Sequence, residues 1–417
     1  MNINIAEYLV KKLEENGVKY VFGYPGEQVL PIYEALRKSK IKHVLMRHEQ
    51  AAAHAADAYA RITGNYGVCL ATAGPGAMNL VMGVSAAYKD NVPLLVITGD
   101  VPKTVKGQDT FQDLDLNCVF KPITIKSFNS TTSEKIENNI SEIFSRNSEG
   151  ITGPYHINIP KDVQKKQLNI DHKVITNQKI KAPLEYDIEH TIKLIEESKK
   201  PLIILGSGII YSDAIDEVKE FVNKTKIPVT TTYPARGIIP EDNPKNLGLI
   251  GNRGTTKANY ASENADLIIA LATRLCDRTI SHINTDNIIQ VNTNKEQNNA
   301  KYFYNNNVNE FLHELNKQEL PITDNTWKTR IDNQKENTKK TYAETEYLHP
   351  EKVVQSILKK ADDNTTIILD AGTTPTYFTI NSTLTKHSQM LFSGGLGPMG
   401  YSLPASIGAS FARPDDI

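Results

Sequence analysis

Short apolar runs alternate along the chain with stretches in which apolar residues recur every three to four positions. YVFG (20–23), KHVLM (42–46), YGVCLA (66–71), PLLVIT (93–98) and YHINI (155–159) have strand length and composition. Residues 4–16, 27–38, 49–63, 76–88 and 133–146 carry the helical period. Apolar runs joined by helices predict a parallel sheet covered on both faces, and KHVLM reads as one of its buried strands. A second block repeats the alternation, with strands at 201–205, 228–232, 267–271 and 288–291. A third opens with a helix at 350–360, followed by strands at 365–370 and 389–393 and a helix reaching 412. The fold class is therefore α/β, with consecutive doubly wound parallel-sheet domains. The third is read as incomplete, because residues 350–417 fall short of the roughly 100 such a domain needs. The boundaries read as 1–165, 184–320 and 350–417. A charged, aliphatic-poor linker at 321–349 carries one helix.

Composition narrows the function classes. Formal net charge is −1 over 417 residues, and no basic block is interleaved with aromatics, which argues against nucleic acid as a partner. No apolar run approaches the ~18 residues of a membrane span, and the acidic amphipathic N-terminus has no cleavage site. Cys69, Cys118 and Cys276 are scattered and odd in number, so they read as free thiols in a reducing cytoplasm.

The densest chemistry lies in RHEQAAAHAADAYAR, Arg47–Arg61. Glu49 stands at a strand-to-helix junction, and seven alanines between Ala51 and Ala60 leave a helix that a backbone or flat ligand can approach closely. A tightly packed core helix with an acidic first turn is the alternative reading. His48 and His54 are six apart, on different helix faces, so they do not form an HExxH zinc pair. Asp57 and Arg61, four apart, read as a solvated helix pair. Thr72–Asn79, with Gly74, Pro75 and Gly76, follows a strand and opens a helix, as a ligand over a helix N-terminus or a tight turn would require. Gly206 and Gly208 give half a dinucleotide turn, with Tyr211 where a third glycine would stand. Arg274 and Arg278, four apart, read as a clamp for a phosphate or carboxylate, or else Asp277 and Arg278 read as a surface charge cluster. Ser393–Gly400 holds four glycines, among them Gly397, ahead of a helix.

In this order, GYPGEQVLPIYEAL, RHEQAAAHAADAYAR, ATAGPGAMNL, TFQD, GPYHINIPKDV, TRLCDR and SGGLGPMGYSLPASIGA resemble the acetolactate synthase large, catalytic subunits. More broadly they resemble the thiamine-diphosphate-dependent oxidases and decarboxylases. The resemblance covers the whole chain. It implies pyrimidine-binding, central and diphosphate-binding domains, with thiamine diphosphate and Mg²⁺ as cofactors. It implies that Glu49 shares a proton with N1′ of the aminopyrimidine and so helps activate the thiazolium C2–H, which suits a carboxyl whose pKa an apolar setting raises. It places Pro75 and Asn79 beside the pyrimidine, Gly397 as a backbone acceptor, and Met399 as the wedge that bends the cofactor. Gly26 and Gln112 fall on the reacting face, and Lys161 is the matching lysine of the PKDV motif, implied to be catalytic with Glu49 and Gln112. Gly206, Gly208, Arg274 and Arg278 match a central domain that binds FAD. The implied reaction is decarboxylation of pyruvate and condensation with a second 2-oxo acid, on the route to isoleucine and valine. A decarboxylase acting on another 2-oxo acid or an acyl-CoA, or an inactive remnant, are the alternatives. A homodimer or homotetramer with its active site between chains, and a regulatory small subunit, are the implied partners.

Several positions depart from the family pattern. Glu27 stands where a glycine or alanine is usual, Thr373-Thr374 replace Gln-His, and Asn292 and Asn294 replace an acidic pair. GITGPY lacks the arginine of GRPGPV. The family's GDG motif and its asparagine fall beyond Ala412–Ile417. These 417 residues are therefore expected not to hold Mg²⁺–thiamine diphosphate productively, and no residue is assigned as a metal ligand. The apolar faces of 365–370 and 400–411 are expected to be partly exposed.

Overall fold

The computed structural model describes residues 2–148, 150–169, 187–335, 346–362 and 364–413. Residues 170–186, part of the linker, and the terminal Pro414–Ile417 lie outside the described residues.

Six parallel strands form the first sheet, in the order Lys42–Leu45, Tyr20–Gly23, Gly67–Ala71, Leu94–Asp100, Pro154–Pro160 and Lys126–Asn129. The three central strands from Gly67, Leu94 and Pro154 are buried along their whole length, as their unbroken apolar runs require. KHVLM is a strand but not a buried one. It lies at the sheet edge, where a single neighbour leaves Leu45 56% exposed. The opposite edge, Lys126–Asn129, has no sequence counterpart in the reading above, because KSFN is too polar to register as a strand. An antiparallel pair, Asn2–Asn4 with Gln167–Asn169, closes the domain.

The central sheet is also six-stranded and parallel. Its order is Asn246–Leu249, Val229–Thr231, Pro201–Leu205, Leu267–Leu271, Ile288–Val291 and Tyr302–Tyr304. The two edge strands were again not legible as apolar runs. The helix in the linker, Asn325–Asp332, packs into this domain. Trp327 and Ile331 are buried there, and the indole N–H donates to the Pro201 carbonyl at 3.1 Å.

Among the described residues of the third block, two short parallel strands, Ile367–Ile368 and Met390–Leu391, form the sheet. The helix Ser402–Ala412 turns Pro404, Ala405, Gly408 and Ala409 inward while Leu403 and Ile407 stay exposed. Its inner face lies on the helix Glu49–Thr63 so closely that a Cβ on Gly408 would sit 1.9 Å from the Ala55 carbonyl oxygen.

This contact overturns the reading of Asp57 and Arg61 as a solvated pair. Both are buried, with Arg61 only 6% exposed. The guanidinium donates to Asp57 at 2.6 Å and to Asp90 at 2.8 Å, and the Tyr401 hydroxyl donates to Asp57 at 2.7 Å. The spacing identified the pair. The helix that covers it arrives more than 300 residues later in the chain.

Two substitutions, one at this contact and one in the interior of the first sheet, test how closely the chain is packed. Gly408→Val puts branched bulk where a carbonyl already stands. It should cost at least about 1–3 kcal/mol, read as a lowered urea midpoint. The second concerns His156, which is fully buried, stacked on Phe120 at 4.2 Å, and bonded through its two ring nitrogens to the Thr98 and Ser127 hydroxyls, each at 2.8 Å. Burial pushes its pKa down to about 3. The unfolded chain takes up this proton near pH 6.5 and the folded chain does not, so the associated stability is present above pH 6.5 and is lost as pH falls toward 3. Over that window the loss is on the order of 4 kcal/mol. In His156→Gln, stability should fall less steeply between pH 6.5 and 3.5. Parallel pH profiles for the two proteins would contradict this.

Candidate active site

The first sheet reverses its winding between Tyr20–Gly23 and Gly67–Ala71, and the carboxyl ends of these strands open the crevice where doubly wound sheets hold ligands. Three chain segments meet there. Gly26 leaves the first strand with its Cα against the Thr72 side chain, where an added Cβ would come within 2.5 Å. Glu49 is the first residue of its helix, capped by His48, whose Nδ1 accepts from the Gln50 amide at 3.1 Å. Pro75 and Gly76 begin a third segment, the helix Pro75–Lys89.

Glu49 is only 9% exposed. Its Oε2 accepts the Asn79 side-chain N–H at 2.9 Å, and its Oε1 lies 3.1 Å from where a Cβ on Gly76 would be. The wall is therefore backbone on that side, and one carboxylate oxygen is fixed while the other faces a glycine. Asn79 and Pro75 stand on the exposed side of their helix. The structure thus brings Glu49, Asn79, Gly26 and the Pro75-Gly76 turn together, linked through Thr72.

Tyr33, which sequence reasoning passed over, belongs to the same place. Its buried hydroxyl has no hydrogen-bond partner among the described residues, and burial, then the charge of Glu49, push its pKa above the usual phenol range. In the sequence it looks like one more apolar-face residue of an amphipathic helix.

Gln112 lies in the loop after the strand Leu94–Asp100. It has φ +66° and packs its backbone on Gly74, where a Cβ would fall 2.9 Å from the Gln112 carbonyl oxygen. Lys161 follows the strand Pro154–Pro160 and donates to Glu27 at 2.9 Å. The hydrogen bond and charge of Lys161 hold the exposed Glu27 carboxyl below the usual range. Gly397, at φ +69°, and Met399 lie on an exposed stretch of the glycine-rich segment, with Met399 85% exposed. Among the described residues, Glu49 makes no hydrogen bond to that segment.

The central sheet has its own reversal, between Pro201–Leu205 and Leu267–Leu271. There Gly206 passes so near Ala272 that a Cβ would fall 2.1 Å from its carbonyl oxygen. Gly206, Gly208, Arg274 and Arg278 line one cavity of about 800 Å³, together with Asn292 and Asn294. Its size suits a ligand of nucleotide dimensions. Phe392 and Gly394 of the third block also border it.

Three segments match models of thiamine pyrophosphate enzymes: the N-terminal TPP-binding domain at residues 3–118, the central domain at 188–315 and the C-terminal TPP-binding domain at 370–417. The chain belongs to the thiamine pyrophosphate enzyme family and, within it, to the acetolactate synthase large subunits. It is 36% identical to the probable acetolactate synthase large subunit of Methanocaldococcus jannaschii, over 98% of this chain and 73% of that protein. It is 37% identical to the acetolactate synthase large subunit of Cyanidium caldarium, over 98% and 74%. It is also 32% identical to the large subunit of acetolactate synthase isozyme 2 of Escherichia coli, over 99% and 77%.

Gly76 separates ligand binding from stability. Helix propensity favours alanine there, but its Cβ would meet Thr72 at 2.8 Å and displace Glu49. Gly76→Ala should leave the thermal midpoint within a few degrees and, in a form that carries the family's metal–diphosphate motif, weaken thiamine diphosphate binding about tenfold by titration calorimetry.

Proposed function

We propose that this chain condenses 2-oxo acids with the help of thiamine diphosphate, taking pyruvate as donor, and that Glu49 is its proton-handling residue. The observation that carries this reading is the Glu49 carboxyl itself, buried at a sheet reversal with one oxygen held by Asn79 and the other against a glycine wall. The crevice suits the cofactor's aminopyrimidine. Gly26 and Gly76 leave flat walls, and the unpartnered Tyr33 hydroxyl offers a polar atom. When bound, thiamine diphosphate supplies the carbon nucleophile that adds to the substrate's keto group. The chain's own part is to hold and return a proton at Glu49 Oε1, keep Oε2 in place through Asn79, and exclude water with the alanine-lined helix. Lys161 offers a positive charge near the mouth, offset by Glu27, so a second 2-oxo acid anion approaches a neutral pair rather than a bare cation.

The central cavity fits a flavin dinucleotide: two glycines give close backbone approach, and Arg274 and Arg278 offer charge to its diphosphate. The described residues contain no cluster of three or more His, Cys, Asp or Glu, and Asp370 already accepts from the Gly400 amide at 2.9 Å and the Ser402 hydroxyl at 3.1 Å. The exposed Met399, Leu403 and Phe111 support a homodimer in which a second copy covers them. The relatives' names as large subunits support a small-subunit partner. No described helix is long and apolar enough to cross a membrane. The three free cysteines support a cytoplasmic setting.

In a form that carries the family's metal–diphosphate motif, Glu49→Gln should keep the fold and slow turnover by roughly 10²–10⁴-fold, the range for loss of a general acid or base. Unchanged turnover would remove Glu49 from the reaction. Carbon dioxide release from pyruvate without acetolactate would overturn the carboligase reading.

A further inference from the structure

We infer that Asp90 is a positioning residue for the thiamine-diphosphate site, linking the contents of the central cavity to the glycine-rich segment 393–400. It caps the C-terminus of the helix Pro75–Lys89, whose other end carries Gly76 and Asn79 against Glu49. Arg61, its main partner, lies in the last turn of the helix that Glu49 begins. The Arg61–Asp90 bond, at 2.8 Å, therefore ties together the far ends of the two helices whose near ends form the site.

The same carboxylate has two further neighbours. Oδ2 accepts the Gly394 amide at 3.1 Å, and a Cβ on Gly395 would fall 2.6 Å from Oδ1, so a glycine is needed where the segment crosses it. Oδ1 also faces Arg274 Nη2 at 4.0 Å, and Arg274 lines the central cavity. Asp90 thus stands where the first domain, the central domain and the third block meet.

Charge makes this junction responsive. Asp57 and Asp90 share the single guanidinium of Arg61, which leaves one negative charge in a buried place. Arg274, partly exposed in the cavity, supplies the balancing cation. A ligand bearing phosphates competes for Arg274. As Arg274 turns toward it, Asp90 concentrates its charge on Arg61 and the Gly394 amide, and the segment leading to Met399 is held more firmly. This response to a ligand rests on the flavin-dinucleotide reading of the cavity. The junction itself does not.

Hydrogen exchange of peptides covering 391–401 in the full chain tests both parts, using wild type, Arg274→Gln and Asp90→Asn, each with and without FAD. Bound FAD is followed by quenching of its own fluorescence. Arg274→Gln should slow exchange at 393–396 by about tenfold with no ligand present, through the loss of its approach to Asp90. FAD should slow exchange in wild type to a similar degree. In Asp90→Asn exchange should be about tenfold faster than wild type and unresponsive to FAD. Equal exchange in Arg274→Gln and wild type overturns the proposal, whether or not FAD binds. Equal protection by FAD in Asp90→Asn and wild type also overturns it, because the ligand would then be shielding the segment directly. Failure of FAD to bind wild type defeats the cavity reading alone, and the ligand-free comparison still decides the role of Asp90.

Discussion

The geometry around Glu49 depends on how closely other backbone can approach the helix Glu49–Thr63. Three glycines make that approach from three elements. A Cβ on Gly67 would lie 1.9 Å from the Ala56 carbonyl oxygen, one on Gly83 would lie 2.4 Å from the Ala53 Cβ, and one on Gly408 would lie 1.9 Å from the Ala55 carbonyl oxygen. The helix is thus enclosed by a strand and two helices at near-backbone contact. Alanine suits such a helix because it fills little space and has the best intrinsic helix propensity. Rigid enclosure also fixes where the helix begins, and hence where the Glu49 carboxyl stands. A larger side chain at any of the three glycines would move a neighbour and, through it, the start of the helix.

The buried charges at the far end complement this arrangement. Taking Arg61, Asp57 and Asp90 out of water is costly, and such a cluster is weak evidence for net stability. It does make the alternatives worse. Removing one partner leaves an uncompensated charge, typically at a cost of about 3–5 kcal/mol. The cluster therefore penalises any sliding of the helix Ser402–Ala412 over its neighbour that would part Tyr401 from Asp57. Apolar packing by alanine and glycine tolerates small shifts, whereas hydrogen bonds to a carboxylate do not. Close approach holds the near end of the site and directional bonding the far end.

Legibility followed burial. Strands buried on both faces, such as PLIIL at 201–205 and LIIAL at 267–271, were plain in the sequence because both faces demand apolar residues. Edge strands were not, because Lys126–Asn129, Asn246–Leu249 and Tyr302–Tyr304 each have one neighbour and include polar or half-buried positions. KHVLM was recognised as a strand but wrongly placed in the interior, since a short apolar run does not say how many neighbours it has. The third block shows the same limit: TTIILD reads as a strand of six residues, and two of them pair. In the site, glycines and Glu49 stood out from their local pattern. Tyr33 did not, because only the fold reveals that its hydroxyl is buried beside a carboxylate. The fate of Asp57 and Arg61 was equally hidden, since no local signal encodes cover supplied by residues 401–412.

Both candidate ligand positions have the same topological origin. In each six-stranded sheet the chain starts in the interior, builds to one edge, and returns to build toward the other. The two strands flanking the return send their following loops to opposite faces, so nothing fills the space between their carboxyl ends. In the first sheet that space receives Gly26 and the Thr72–Gly76 turn, and in the central sheet Gly206 and Ala272–Arg274. The two crevices differ in what the adjoining helices bring. A buried carboxyl bonded to an amide stands in the first, and two arginines line the second. The folds are alike, and the chemistry diverges through a handful of side chains at equivalent places. The third block meets the first domain at Asp90, through the Gly394 amide, and the central domain directly at Tyr233, Arg236 and Glu241, so the position of its glycine-rich segment is set by the pair of domains together and by neither alone.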